Sequence, residues 1–131
     1  VALWETAVQP DELLVEIRVP TTPMNANSCY EKFAQPASRY PYVGCAVAVD
    51  KSGGTCSDVR VGFSGVGHVG FRDSNVEGAL KGQALSAASI KAAADTATNG
   101  VDVLSDWSVS EDYRRAMSRV YARRALTKVG L

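Results

Sequence analysis

Apolar and polar positions change their period once along this chain, near Asp73. Before it they alternate, and after it they recur at three and four residues. In residues 12–19, Leu13, Val15, Ile17 and Val19 alternate with Glu16 and Arg18, which predicts a first strand with Leu14 as its exception. Pro20 ends it, and Thr21-Thr22-Pro23 reads as a loop. Residues 28–33 predict a short second strand, and residues 35–41, with two prolines, an irregular loop. Residues 42–50 are the most apolar run and predict a third strand, central in the sheet. Lys51-Ser52-Gly53-Gly54 is a hairpin signal, so residues 55–64 return as a fourth, antiparallel strand.

The second half reads as helices. Ser74-x-x-Glu77 predicts a capping box and Gly82 a stop. Ser86 caps the next helix, with Leu85 and Ile90 as a hydrophobic staple. That helix is expected to run to about residue 98, ending at Asn99-Gly100, with Ile90, Ala93, Ala94 and Ala97 as its stripe. The last helix opens at Ser108 or Ser110, and Glu111 and Asp112 suit its first turn. Tyr113, Ala116, Met117, Val120 and Tyr121 predict its apolar face. Arg114, Arg115, Arg119, Arg123 and Arg124 then form either a solvated face or a subunit contact. Strands first and helices afterwards imply an α+β, two-layer sandwich, a mainly antiparallel sheet of about four strands with three helices on one face.

Between the halves, Gly65-Val66-Gly67-His68-Val69-Gly70 spells G-x-G-x-x-G, the form of a dinucleotide-binding turn. Such a turn needs a strand buried on both faces, a long crossover helix and a second strand ending in an acidic residue. Here Val59, Val61 and Phe63 alternate with Asp58, Arg60 and Gly62. Gly82 closes the helix after about two turns. The next segment is alanine-rich and helical, with Asp95 inside it. The run therefore reads as a strand-to-helix connection whose glycines allow positive φ and close backbone packing.

With 131 residues and a formal net charge of zero, the chain reads as a single domain, residues 1–131, with no electrostatic footprint for nucleic acid. It has no apolar run long enough for a membrane span and no signal peptide pattern. Val1-Ala2-Leu3-Trp4-Glu5, without an initiator methionine, reads as a fragment of a longer protein. Cys29, Cys45 and Cys56 are widely spaced and form no C-x-x-C pair, which points to reduced thiols in a cytoplasmic protein rather than a metal centre. Cys45 falls in an apolar run and is expected to be buried. His68, the only histidine, is expected at a solvated loop position; no metal ligand set or nucleophilic triad is expected.

Four stretches in order carry a family resemblance: Asp11-Glu12-Leu13-Leu14-Val15-Glu16-Ile17-Arg18-Val19-Pro20; Tyr30-Glu31-Lys32-Phe33 through Ser38-Arg39-Tyr40 to Val43-Gly44-Cys45-Ala46-Val47; Gly65-Val66-Gly67 through Arg72 to Glu77, Leu80 and Gly82; and Ser105-Asp106, Asp112-Tyr113-Arg114-Arg115 and Arg123-Arg124-Ala125-Leu126. Over nearly its whole length the chain resembles the C-terminal domain of the FAD-binding (medium) subunit of molybdenum hydroxylases, the carbon monoxide dehydrogenase and xanthine dehydrogenase group. The resemblance implies an oxidoreductase subunit whose FAD is held mainly by a separate N-terminal FAD-binding domain. Substrate is then oxidised at a molybdenum cofactor in a large subunit, and electrons cross iron–sulfur (2Fe-2S) clusters in a small subunit to FAD and an external acceptor. This domain would pack on the flavin domain and help wall the isoalloxazine pocket, without catalysing a reaction or binding FAD tightly alone. Leu14 matches an apolar position that touches the flavin ring, and Leu13 is its neighbour. Gln35, Ser38, Arg39 and Tyr40 match the loop at the flavin edge. Two positions depart from the family: Arg39 stands where an Asp is frequent, and Ala34 where a Lys is frequent. Arg39 is a candidate to attract an anionic acceptor. The competing expectation is a stand-alone α+β interaction or dimerisation domain, similar to the interface domains of flavin disulfide reductases.

Overall fold

The computed structural model describes residues 5–19 and 27–131. Four strands form one antiparallel sheet in chain order: β1 (Asn27–Ala34), β2 (Pro41–Ser52), β3 (Thr55–Ser64) and β4 (Phe71–Arg72). Three helices follow: α1 (Ser74–Leu80), α2 (Ala87–Ala94) and α3 (Glu111–Gly130). The α+β class is the expected one, and the apolar run 42–50 does lie inside the sheet, in β2. Gly53 and Gly54 make the two-residue turn to β3 at φ +58° and +79°, angles at which L side chains are strained.

Alternation decides which face is covered. Cys45 pairs with Phe63, Val47 with Val61 and Val49 with Val59, and all six side chains are buried on one face. Val76, Leu80, Ile90, Ala93, Ala94, Ala122, Ala125 and Leu126 meet them from the helices. Each fully buried Val or Leu there contributes about 1.5–3 kcal/mol. Helix α3 crosses β1 and β2, α1 lies on β3, and α2 bridges α1 and α3. Phe33 of β1 joins this layer through Tyr42, Tyr113 and Tyr121, with ring centroids 5.5, 6.0 and 6.1 Å away. Cys45 packs as a small hydrophobe, and burial pushes its thiol up to about 12.

Four local expectations need correction. Residues 12–19 form no strand: the segment is exposed throughout and its hydrogen bonds run to near neighbours, such as Glu12 N to Gln9 O at 3.0 Å. Alternation alone does not make a strand without a partner edge. The loop expected at residues 21–23, with Pro20, lies outside the described residues. The fourth strand is instead β4, two residues long, pairing Gly62 with Arg72 and Phe63 with Phe71.

The cap of α1 is Asp73, one residue before the expected Ser74. Asp73 Oδ1 accepts from Asn75 N at 3.1 Å and Val76 N at 3.3 Å. Glu77 is drawn elsewhere because β4 is too short to satisfy Val61: its Oε1 accepts from Val61 N at 2.9 Å, while its carboxylate also takes Arg72 Nε and Nη2. Ser86 does cap α2, reciprocally with Ser89. That helix stops at Ala94 rather than near residue 98; turns follow, and Thr98 takes φ +65°.

Helix α3 is capped by Ser110, and its buried face is turned from the expected one. Arg114, Ser118, Ala122, Ala125, Leu126 and Val129 are buried, while Tyr113 and Ala116 are exposed and Met117, Val120 and Tyr121 half-buried. The cause is polar satisfaction. Ser118 Oγ donates to Arg114 O at 2.8 Å within the helix, and the Arg114 guanidinium finds acceptors in the layer below. Small side chains at 118, 122 and 125 bring the helix close to the sheet. Arg115 is likewise structural, donating to Thr98 O at 2.7 Å and Val101 O at 2.8 Å. Of the five arginines, Arg119, Arg123 and Arg124 remain exposed.

Candidate cofactor-facing groove

The loop between β1 and β2 is short, and it is braced from inside. Gln35 N donates to Tyr40 O at 2.8 Å and Arg39 N to Gln35 O at 3.0 Å. Gln35 Oε1 accepts from both the backbone N and the hydroxyl of Ser38. Lys32 Nζ reaches Arg39 O at 3.1 Å, and Arg39 is held at φ +63°. These bonds engage the Gln35 amide oxygen and the Ser38 hydroxyl and leave the Tyr40 ring outside, 77% exposed.

Beside the loop lies an open groove of about 330 Å³. Gln35, Ser38 and Tyr40 line one part of it, Asp106, Trp107 and Ser108 another, and Gly65 and Arg114 lie between. Arg114 ties these parts together. Its Nη1 donates to Tyr42 O at 2.9 Å and to Gly65 O at 2.7 Å, and its Nη2 donates to Asp106 Oδ2. Its Nε is buried with no hydrogen-bond partner. Ser108, the backbone N–H of Val109 and the Arg114 charge hold the Asp106 carboxyl down at about 2; the hydroxyl and N–H of Ser108 act most strongly. Gly65 is required at this junction. Its φ is +74°, and a Cβ would sit 2.3 Å from the Pro41 carbonyl oxygen.

The structure thus brings together Gln35, Ser38 and Tyr40, with Arg39 on the same loop, but not Leu13 and Leu14. Those two leucines stand 84% and 65% exposed on the unpaired leading segment. Sequence reasoning missed Asp106, Trp107 and Arg114 as parts of the groove. A roomier concavity of about 520 Å³ lies on the helix-free face of the sheet, around Tyr30, Ala46 and Arg60, apart from this loop.

The glycine run has no phosphate-binding geometry. It joins antiparallel strands β3 and β4, and the seven-residue α1 that follows has its first N–H groups occupied by the Asp73 carboxylate. His68 lies on this turn, half exposed, with Nε2 3.8 Å from Asp102 Oδ2. Among the described residues no three of His, Cys, Asp and Glu converge as a metal site, and no helix is long and apolar enough to cross a membrane.

The structure is a half-open α+β sandwich, its sheet covered by helices on one face, with an internally braced β1–β2 loop. The CO dehydrogenase flavoprotein C-terminal domain family matches residues 28–129. The carbon monoxide dehydrogenase medium chain of Hydrogenophaga pseudoflava is 32% identical over 123 residues, covering 94% of this chain and 43% of that protein. Subunit alpha of the 6-hydroxypseudooxynicotine dehydrogenase complex of Paenarthrobacter nicotinovorans is 31% identical over 130 residues, 98% of this chain and 44% of that protein. A solved carbon monoxide dehydrogenase from Hydrogenophaga pseudoflava, lacking the Mo-pyranopterin moiety of its molybdenum cofactor, superposes with a TM-score of 0.89 at 32% identity over 98% of this chain and 45% of that one. The chain belongs to the CO dehydrogenase flavoprotein C-terminal domain family. It spans less than half the length of these relatives. The competing expectation of a stand-alone dimerisation domain is not favoured by these matches.

Proposed function

We propose that the chain is the C-terminal domain of the FAD-binding subunit of a molybdenum hydroxylase, and that its braced loop walls the isoalloxazine of FAD held by a preceding domain of the same subunit. The observation that carries this reading is the 35–40 loop itself. It is braced by its own backbone, the Gln35 amide oxygen and the Ser38 hydroxyl, and it offers a Tyr ring to a groove. Residues 1–131 are then one domain of a longer protein, with the leading segment and its Leu13 and Leu14 meeting the flavin domain.

The groove fits one end of FAD and not the other. An exposed Tyr ring and a buried guanidinium lining the same groove suit a flat heteroaromatic edge. Arg114 spends its charge on Asp106 within the groove and the N-terminus of α1 is occupied, so neither offers a free positive centre to a diphosphate. When bound, the flavin supplies the redox chemistry. Within this chain, Tyr40 covers the ring, Gln35 and Ser38 hold the loop that carries it, and Arg39 offers positive charge to an approaching acceptor. Partners of this reading are a large subunit with the molybdenum cofactor and a small subunit with iron–sulfur (2Fe-2S) clusters, in a cytoplasmic enzyme.

The test is Tyr40→Ala in the full-length subunit. Loss of one ring contact should weaken FAD about threefold to tenfold and change the visible circular dichroism of the flavin. This chain alone should bind FAD no more tightly than millimolar. Unchanged flavin binding and spectrum in Tyr40→Ala would overturn the reading.

A further inference from the structure

Trp107 stands almost wholly in solvent, at 94%. A single exposed apolar side chain needs no explanation, but the way this one is held does. Asp106 Oδ1 accepts from Ser108 N at 2.8 Å, Ser108 Oγ at 2.6 Å and Val109 N at 2.9 Å, and Asp106 N donates to Val109 O at 3.1 Å. These bonds close a tight turn with residue 107 at its tip. Asp106 is fastened in turn by Arg114, which is only 4% exposed.

The same guanidinium grips Tyr42 and Gly65, at the foot of the strand that the 35–40 loop enters. One buried side chain therefore sets where Trp107 stands relative to Tyr40, and both line one groove. The backbone that carries each ring is braced, so only the two side-chain torsions of each remain to be fixed when a third flat ring arrives. Asp106 and Arg114, both lining the groove, pair with each other and leave it no net charge for an anion, and an uncharged planar ring is the chemistry that suits two exposed rings.

We propose that Trp107 is a second ring contact for the isoalloxazine, meeting it from the 106–109 turn as Tyr40 meets it from the 35–40 loop. The proposal rests on the reading that this groove faces the flavin. It assigns Trp107 as a binding residue and Arg114 and Asp106 as positioning residues that act through it.

The experiment uses the full-length, FAD-loaded subunit with Trp107→Ala, Trp107→Phe and Tyr40→Ala. It reads the FAD dissociation constant by flavin fluorescence and the flavin band by visible circular dichroism. Trp107→Ala should weaken FAD about threefold to tenfold and alter the band, and Trp107→Phe, which keeps a ring, should stay within about twofold of the parent. Because the side chain is exposed, neither variant endangers folding. If Trp107→Ala leaves both readouts unchanged while Tyr40→Ala moves them, the proposal fails and the functional reading stands. If neither variant moves the flavin, both fail.

Discussion

Arg114→Ala should lower the stability of the folded domain by about 3 kcal/mol, read as a shift in the urea midpoint. The side chain is buried, and its removal leaves the Tyr42 and Gly65 carbonyls without their donor and Asp106 without its charge partner. Breaking a buried ion pair from one side costs about 3–5 kcal/mol. The lower end applies because Asp106 is 41% exposed and water takes over part of its solvation. Arg114→Lys should recover only part of the loss, since one ammonium cannot serve two carbonyls and a carboxylate in the places a planar fork reaches. The same junction gives a pH dependence. The Asp106 carboxyl is lowered to about 2 from its ordinary value of 3.8, so the folded state favours its ionised form. Its stabilising contribution is fully present above the ordinary carboxylate value and is lost as pH falls through about 2. An Asp106→Asn variant should show a shallower acid limb between those values than the parent.

Asp73→Ala should cost about 2–4 kcal/mol by the same measurement. One carboxylate there does two jobs. Its Oδ1 caps α1, a contribution of about 1 kcal/mol. Its Oδ2 accepts from Thr98 N at 2.7 Å, a buried N–H that has no helix to donate into because α2 has already ended. Leaving that donor unsatisfied costs about 1–3 kcal/mol more. Thr98 sits at φ +65°, so the turn it occupies is strained and needs this anchor. Asp73→Ser, which keeps a capping oxygen but is too short to reach Thr98, should fall between the parent and Ala.

Both residues show what a one-dimensional reading reaches. The sheet run 42–64 was legible because a two-residue glycine turn and strict alternation act locally, and the burial of Val43, Cys45, Val47 and Val49 follows from period alone. The 35–40 loop was legible as a loop through its prolines, and as a candidate site through resemblance. The face of α3 was not legible. Periodicity equates polar with solvent, and Arg114 violates that rule because the acceptors for its guanidinium lie on β2, the glycine turn and residue 106. Trp107 was equally hidden, since nothing in its neighbours' identity says that the Asp106 turn lies against the β1–β2 loop. Residues 12–19 failed in the opposite way. Their pattern is that of a strand, but a strand is defined by its neighbour, and none is present among the described residues. Glu77 shows the smallest version of the problem. Its spacing from Ser74 is that of a capping box, yet an unpaired N–H on β3 claims it first.

Helix α3, laid across β1 and β2, also sets the order of events during synthesis. Lys128 Nζ reaches Glu31 Oε1 at 2.8 Å across 97 residues, and Cys29 Sγ donates to Ala125 O across 96. The hairpin of β2 and β3 closes over two residues and can form as soon as it leaves the ribosome, and α1 can then cover β3, but the apolar side of β1 and β2 is not covered until the last helix has been made. Contacts of such long range are slow to form, because loop closure precedes any gain from packing. The first strand of the sheet must therefore wait, exposed, for almost the final turn of the chain. Between translating Glu31 and translating Lys128, the apolar side of these strands is without its last cover.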